Sequence, residues 1–254
     1  METLRRPLQG VGNILRFNWH FYAAAAAATA LLLLLAPYAG AALRPGLLLL
    51  LLGVGWLTLG SVLVSAYVYD FSPLYRLSWL PELALPPGAT VVNIHAGFDE
   101  SSALLRQRLP AARLRVLDFY NPARHTELAI RRARAAYPPF PGTEPVPTTA
   151  LPLPTAGADL VLLMLAAHEI RREAERTAFL AEVRRSLRPG GRAVVIEHLR
   201  DPANFLAYSV GAFHFYSRRS WLRGFRAAGL RREREMKVTP FVSVFILRPD
   251  DQPA

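Results

Sequence analysis

The sequence of 254 residues is 52% hydrophobic and 19% charged, and its 30 Lys and Arg against 19 Asp and Glu give a formal charge of +11, a length that suits one domain plus an appendage. The averages hide two unlike parts: residues 1–80 hold five Arg against Glu2 and Asp70, a net of +3, while residues 81–254 hold 25 basic and 17 acidic residues, a net of +8. This division excludes a wholly soluble chain and a polytopic transporter, and the lack of cysteine excludes disulfides, zinc–thiolate sites and cysteine nucleophiles.

The positive balance does not read as a nucleic-acid surface, which needs clustered cations. Lys237 is the only lysine, and the arginines are dispersed, often beside Glu, as in Glu169-Ile-Arg-Arg-Glu173. Such charge suits a domain held at an anionic leaflet instead. No nucleic-acid partner is expected.

Residues 1–16 form an N-terminal segment carrying Arg5, Arg6 and Arg16. Two uncharged runs follow, Phe17–Leu43 and Pro45–Tyr69, each able to supply the ~20 apolar residues that cross a bilayer core. They predict two transmembrane helices at about 17–38 and 47–69, joined by the Gly- and Pro-containing turn Pro37–Gly46. Aromatic clusters mark the borders: Phe17, Trp19, Phe21 and Tyr22 at the entry, Tyr67, Tyr69, Phe71 and Tyr75 at the exit. Arginines flank the hairpin outside, and only Arg44 lies in the turn, so both termini and the domain are expected in the cytoplasm, as in a bacterial inner-membrane protein. A cleavable leader ending near Ala39-Gly-Ala-Ala42 is the competing reading, opposed by the long segment before it and the second span after it. Neither run contains a charged residue, so the hairpin reads as an anchor and not as an ion pathway.

Residues 70–88 read as a juxtamembrane linker, aromatic and apolar, lying along the interface or packed on the domain. Pro86-Pro-Gly88 marks a boundary, after which 89–248 form the domain and 249–254 a C-terminal tail. Strand-like and helix-like patches alternate: Thr90–Ile94, Leu114–Leu117, Asp159–Leu165 and Arg192–Glu197 as strands, Ala123–Ala136, Arg171–Leu187 and Arg218–Ala228 as helices. This is the βαβ pattern of a parallel sheet covered on both faces. The last two strands, Leu230–Val238 and Phe241–Leu247, are separated only by Thr239-Pro240 and so predict an antiparallel hairpin. The segment Tyr137–Thr155 holds seven prolines, leaving room for at most a short edge strand at Val146–Ala150.

These residues resemble the class I, Rossmann-like S-adenosylmethionine-dependent methyltransferases. Val91-Val-Asn-Ile-His-Ala-Gly-Phe-Asp-Glu100 resembles the first motif, Asp118 stands 21 residues after Gly97 at the end of the second strand, and Leu151–Pro154, Ala158–Leu163 and Leu187-Arg-Pro-Gly-Gly-Arg-Ala-Val-Val-Ile-Glu197 resemble the later motifs in order. The resemblance covers roughly residues 88–248 and implies a seven-stranded α/β sheet with a terminal antiparallel hairpin, bound to S-adenosylmethionine. It implies cofactor contacts from Asn93, His95, Gly97, Asp99, Asp118, Thr148 and Leu165, with Asp118 taking the ribose hydroxyls. The chain departs from the pattern where Asn93 replaces an acidic residue, where His95 and Asp99 take two of three glycine positions, and where Pro147 and Thr148 provide no acid beside the adenine.

Methyl transfer needs donor and acceptor held in line, with a base only if the acceptor must lose a proton. His168 and Glu169 after the fourth strand, His198 with Glu197 after the fifth, and His214 in the segment Asn204–Phe215 are the candidate catalytic residues, all expected to open toward the same crevice. No His-x-x-x-His pair is present and no metal site is expected; nor is there a Gly-x-Ser-x-Gly elbow for hydrolysis. The sequence therefore reads as a membrane-anchored methyltransferase acting on an apolar or membrane-associated small acceptor. The rivals are a non-catalytic scaffold of the same fold and a nicotinamide-dependent oxidoreductase.

Overall fold

The computed structural model describes residues 5–250, so most of the expected C-terminal tail lies outside the described residues. The chain begins with an amphipathic helix, α1 (Gln9–Phe17), which buries Asn13 and Phe17. Asp70, at the far end of the apolar hairpin, accepts from the Gly10 and Val11 amides at 2.7 and 2.8 Å. A carboxylate at a helix start satisfies donors that have no partner within the helix.

Helix α2 (Trp19–Leu35) is apolar on all sides and buries nothing. Its partner starts with α3 (Arg44–Gly55), continues through a wider π-type turn into α4 (Ser61–Ala66), and ends in a second wide turn at Phe71. Among the described residues two helices are long and apolar enough to cross a membrane, and their leucines, including Leu34, Leu49 and Leu63, are exposed. At ~1.5 Å per residue the helix from Arg44 to Phe71 is about 40 Å long, more than the ~30 Å of a hydrocarbon core. The surplus turn enters the domain, where Val68 is fully buried.

Seven strands form one sheet in the order β3-β2-β1-β4-β5-β7-β6: β1 (Thr90–His95), β2 (Arg113–Asp118), β3 (Thr143–Pro145), β4 (Ala158–Met164), β5 (Leu187–His198), β6 (Leu230–Thr239) and β7 (Val242–Pro249). Strands β1 to β5 are mutually parallel, and β7 is antiparallel to both its neighbours. The chain order reverses between β1 and β4, which places a crevice at the carboxyl ends of those strands. Helices α7 (Glu173–Ser186) and α9 (Arg218–Ala227) cover one face, packing Phe179, Leu180, Trp221 and Phe225 against Val161, Val195 and Phe245.

On the other face, residues 70–88 take the second of the two expected arrangements and pack on the domain. The stretch read as a juxtamembrane linker is core: Leu74, Leu77, Trp79 and Leu80 are buried against Val91, Leu160, Leu162, Ile196 and Val244. Beside them lies α5 (Ser102–Arg108), a seven-residue helix not foreseen in the sequence. Because α5 is too short to cover this face, the end of the apolar hairpin completes the layer.

Three smaller differences have local causes. The edge strand is Thr143–Pro145 and not Val146–Ala150, because Pro147 has no N–H with which to extend the ladder. Helix α6 (Leu128–Ala136) does not start at Ala123, since Asn121 closes its own turn, its side chain accepting from the Ala123 amide at 2.9 Å and its carbonyl from the His125 amide at 2.8 Å. A further helix, α8 (Pro202–Tyr208), is capped by Asp201, whose Oδ1 accepts from the Asn204 amide at 3.0 Å.

Candidate active site

A cavity of about 730 Å³ opens at the carboxyl ends of β1, β4 and β5. His95, Ala96, Phe98, Leu165, His168, Glu169, His198 and His214 line it from the domain. Asn13 and Phe17 of α1 close one side, and Phe21, Tyr22, Ala25, Leu57 and Ser61 carry the lining up between the two apolar helices. All four candidate catalytic residues thus meet on one cavity.

They are linked in an alternating chain. Glu197, fully buried at the end of β5, spends both oxygens on His168: Oε1 accepts from the backbone amide at 3.1 Å and Oε2 meets Nδ1 at 2.6 Å. His168 Nε2 lies 3.3 Å from Glu169 Oε1, which lies 3.7 Å from His214 Nε2, and His214 Nδ1 lies 3.2 Å from Glu127 Oε1. Burial opposes charge on His168, but the Glu197 carboxylate, with Glu169, outweighs it and raises the imidazole well above its ordinary range. Burial likewise opposes charge on Glu169, yet hydrogen bonds from His168 and His214 hold its carboxyl well below the usual value.

His198 stands apart. Its Nδ1 faces the Phe241 carbonyl at 3.0 Å, which fixes the proton there, so Nε2 accepts from the Tyr69 hydroxyl at 2.9 Å. Burial, reinforced by charge on His168, lowers its pKa to about 4. A folded pKa below the ordinary 6.5 means that the unfolded chain takes up a proton between pH 6.5 and 4 that the native chain refuses, so stability falls as pH drops through that window. His168, shifted the other way, keeps its full contribution below pH 6.5 and loses it only as pH climbs through its raised value. Between pH 6.5 and 5 the expected loss from His198 is about 2 kcal/mol. Thermal unfolding of the detergent-solubilised chain at the two pH values tests this, and His198→Gln should shrink the difference; an unchanged difference would refute it.

The cofactor positions implied by the resemblance divide into three groups. His95, Gly97 and Leu165 surround the crevice, with Gly97 at φ +92° and Leu165 at +51°. His95 Nδ1 accepts from the Gly97 amide at 3.2 Å, which leaves Nε2 as a buried donor without a partner among the described residues; burial lowers its pKa and keeps the ring neutral. Asn93 and Asp99 instead brace the turn into α5. Asp99 Oδ1 accepts from the Ser101 and Ser102 amides, and Asn93 Nδ2 faces both serine hydroxyls at 2.9 and 2.8 Å. Thr148 is not brought to the cavity, its hydroxyl donating to Glu175 on α7 at 2.6 Å.

Asp118 ends β2 at the level of His95 and accepts from the Tyr120 amide at 2.9 Å. Its other oxygen is bound by Arg134 of α6 at 2.5 Å. Arg134 also lies over the Tyr120 ring and beside Gly97, where an added Cβ would stand 3.1 Å from its side chain. Arg134 is more than one-third exposed.

Two features of this site had little signal in the sequence. Arg134 is one of several arginines on α6, and only the fold sets it on Asp118. Helix α1 had a readable cue in its amphipathic spacing, and its position is secured by Asn13, which accepts from the Tyr137 hydroxyl at 2.8 Å.

The strand order and the crevice at the β1–β4 reversal define the class I methyltransferase fold. Residues 96–195 match the family model described as a methyltransferase domain. A methyltransferase dependent on S-adenosylmethionine from Clostridium acetobutylicum superposes with a TM-score of 0.50 at 10% identity, covering 69% of this chain and 89% of that one. One from Aquifex aeolicus has a TM-score of 0.49 at 17% identity, covering 71% and 94%. No match was found among curated proteins. The fold is that of class I methyltransferases, and the match of residues 96–195 to a methyltransferase domain indicates S-adenosylmethionine as the cofactor.

The crevice fits that cofactor on one condition. Its size lies within the 300–1,000 Å³ typical of small-molecule sites, and the unpaired His95 Nε2 offers a buried donor. Asp118 becomes available to a ribose only when Arg134 leaves it.

Proposed function

We propose that the chain is a membrane-anchored methyltransferase acting on an apolar or membrane-associated acceptor, with its domain and both termini in the cytoplasm. The observation that carries this reading is the cavity itself, which runs from His168, His198 and His214 to the facing sides of the two apolar helices. A second cavity of about 400 Å³ continues between those helices and shares Tyr22, Ala25 and Thr58 with the first. An acceptor with an apolar tail could keep the tail among these side chains while its reactive atom reaches the imidazoles.

His95, Gly97, Asp118 and Leu165 would hold the cofactor, which supplies an activated methyl group to a nucleophilic atom. Phe17 and Phe98, packed edge to face at 5.8 Å, exclude water from the α1 side. The Tyr69 hydroxyl, oriented by the neutral His198 imidazole, is placed to hydrogen-bond an acceptor oxygen in the cavity. Arg134 on Asp118 favours the rival reading of a non-catalytic scaffold, and cofactor binding separates the two.

Calorimetric titration of the full chain with S-adenosylmethionine is expected to give one site, weakened at least tenfold in Asp118→Ala. In Arg134→Ala binding should tighten several-fold, since an ion pair of about 1 kcal/mol no longer competes. No heat in any of the three forms would favour the scaffold. The acceptor class is tested with proteoliposomes of bacterial polar lipids and methyl-labelled cofactor: label should enter the organic extract, and label confined to water-soluble products would overturn the membrane acceptor.

A further inference from the structure

We propose that His168, Glu169 and His214 form a binding site for one first-row divalent transition-metal ion, through His168 Nε2, Glu169 Oε1 and His214 Nε2. The three ligating atoms lie within 4.8 Å of one another, with the Glu169 oxygen 3.3 and 3.7 Å from the two imidazole nitrogens. Ligand atoms about 2.0–2.2 Å from a shared ion stand roughly 3–3.5 Å apart, a spacing the Glu169 oxygen already has to His168 Nε2 and nearly has to His214 Nε2, and a rotation of the partly exposed His214 ring would draw the two imidazoles together.

The surroundings are those of a ligand set. A metal-bound histidine presents one nitrogen to the ion and gives the other to a carboxylate or carbonyl that fixes its ring. Both imidazoles here meet that description, His168 Nδ1 on Glu197 at 2.6 Å and His214 Nδ1 on Glu127 at 3.2 Å. The segments that carry them are tied together by Arg171, whose Nη1 donates to the His168 carbonyl at 3.1 Å and the His214 carbonyl at 2.7 Å. Two imidazoles and one carboxylate suit zinc, iron or cobalt better than calcium or magnesium, which take mostly oxygen ligands.

All three residues line the cavity, so the remaining coordination positions face the space where an acceptor would lie. An ion there would polarise an acceptor oxygen; that use rests on the proposed function, whereas the site rests on the cluster alone. The sequence led to the opposite expectation because His168 and His214 come from separate loops with no local ligand spacing.

The test is titration of the full chain, purified without a histidine tag in detergent micelles, with Co²⁺. One ion per chain is expected, with visible ligand-field bands, and binding should weaken at least tenfold in His214→Ala and in the isosteric Glu169→Gln, and be retained in His125→Gln. Zn²⁺ should bleach the bands. Absence of Co²⁺ uptake by the unaltered chain overturns the site, as does uptake undiminished in Glu169→Gln, which carries the test alone if His214→Ala does not fold. Titrating the same metal-free sample with S-adenosylmethionine keeps the two proposals distinct: lost cofactor binding with retained Co²⁺ counts against the methyltransferase, and the reverse against the metal.

Discussion

Trp79→Ala is expected to destabilise the chain by about 3–5 kcal/mol, the usual cost of emptying a buried indole site. Trp79 is only 2% exposed and sits with Leu74, Leu77 and Leu80 on the sheet face that α5 leaves open. Denaturant unfolding in detergent, followed by circular dichroism, should show a lower midpoint with an unchanged slope. A loss below about 1 kcal/mol would mean that residues 74–83 ride on the surface. The same packing predicts that a chain beginning after Leu83 exposes this face and aggregates.

Glu197→Ala should be nearly as costly and should act on the site as well. Removing one partner of a buried ion pair typically costs about 3–5 kcal/mol, because the other is left without compensation. Here the backbone amide of His168 also loses its acceptor. With Glu197 gone, burial of His168 is opposed only by Glu169, so the imidazole should titrate at lower pH than in the unaltered chain. Histidine resonances followed against pH measure that shift, and an unmoved His168 would show that Glu197 does not set its charge. The methyl transfer proposed above, assayed in proteoliposomes, is expected to fall in parallel.

The two expectations describe one assembly. The helix from Arg44 to Phe71 carries apolar residues along its length, then places Tyr69 on His198 and Val68 in the core, while Asp70 seats α1 over the cavity. The hairpin therefore supplies part of the site wall. Beside Tyr69, whose carbonyl accepts from Arg5 at 3.2 Å, Arg5 also bonds Glu100 at 2.7 Å and lies over Tyr75, fastening the N-terminal segment to the turn after β1.

Much of the architecture was legible because it depends on short-range patterns. Alternating apolar runs marked β1, β4 and β5, and a two-residue link left β6 and β7 no arrangement except a hairpin. The short α5 gave too little periodicity to be seen, and the linker's apolar residues carried no sign of what they would cover. The candidate catalytic residues were legible as polar groups at strand ends, because strand ends in a parallel sheet converge. Thr148 was misplaced because the proline-rich loop delivers its hydroxyl to Glu175, away from the crevice.

The sequence by itself determined the division into an apolar hairpin and a parallel α/β domain, since hydrophobic period and charge density are local properties that survive whatever the chain packs against. It also determined which residue types could perform chemistry. Only the tertiary structure decided that residues 74–83 are core, that Arg134 covers Asp118, and that His168, Glu169 and His214 come within ligand distance. Those contacts join segments far apart in the chain, and their partners are chosen by how the layers pack.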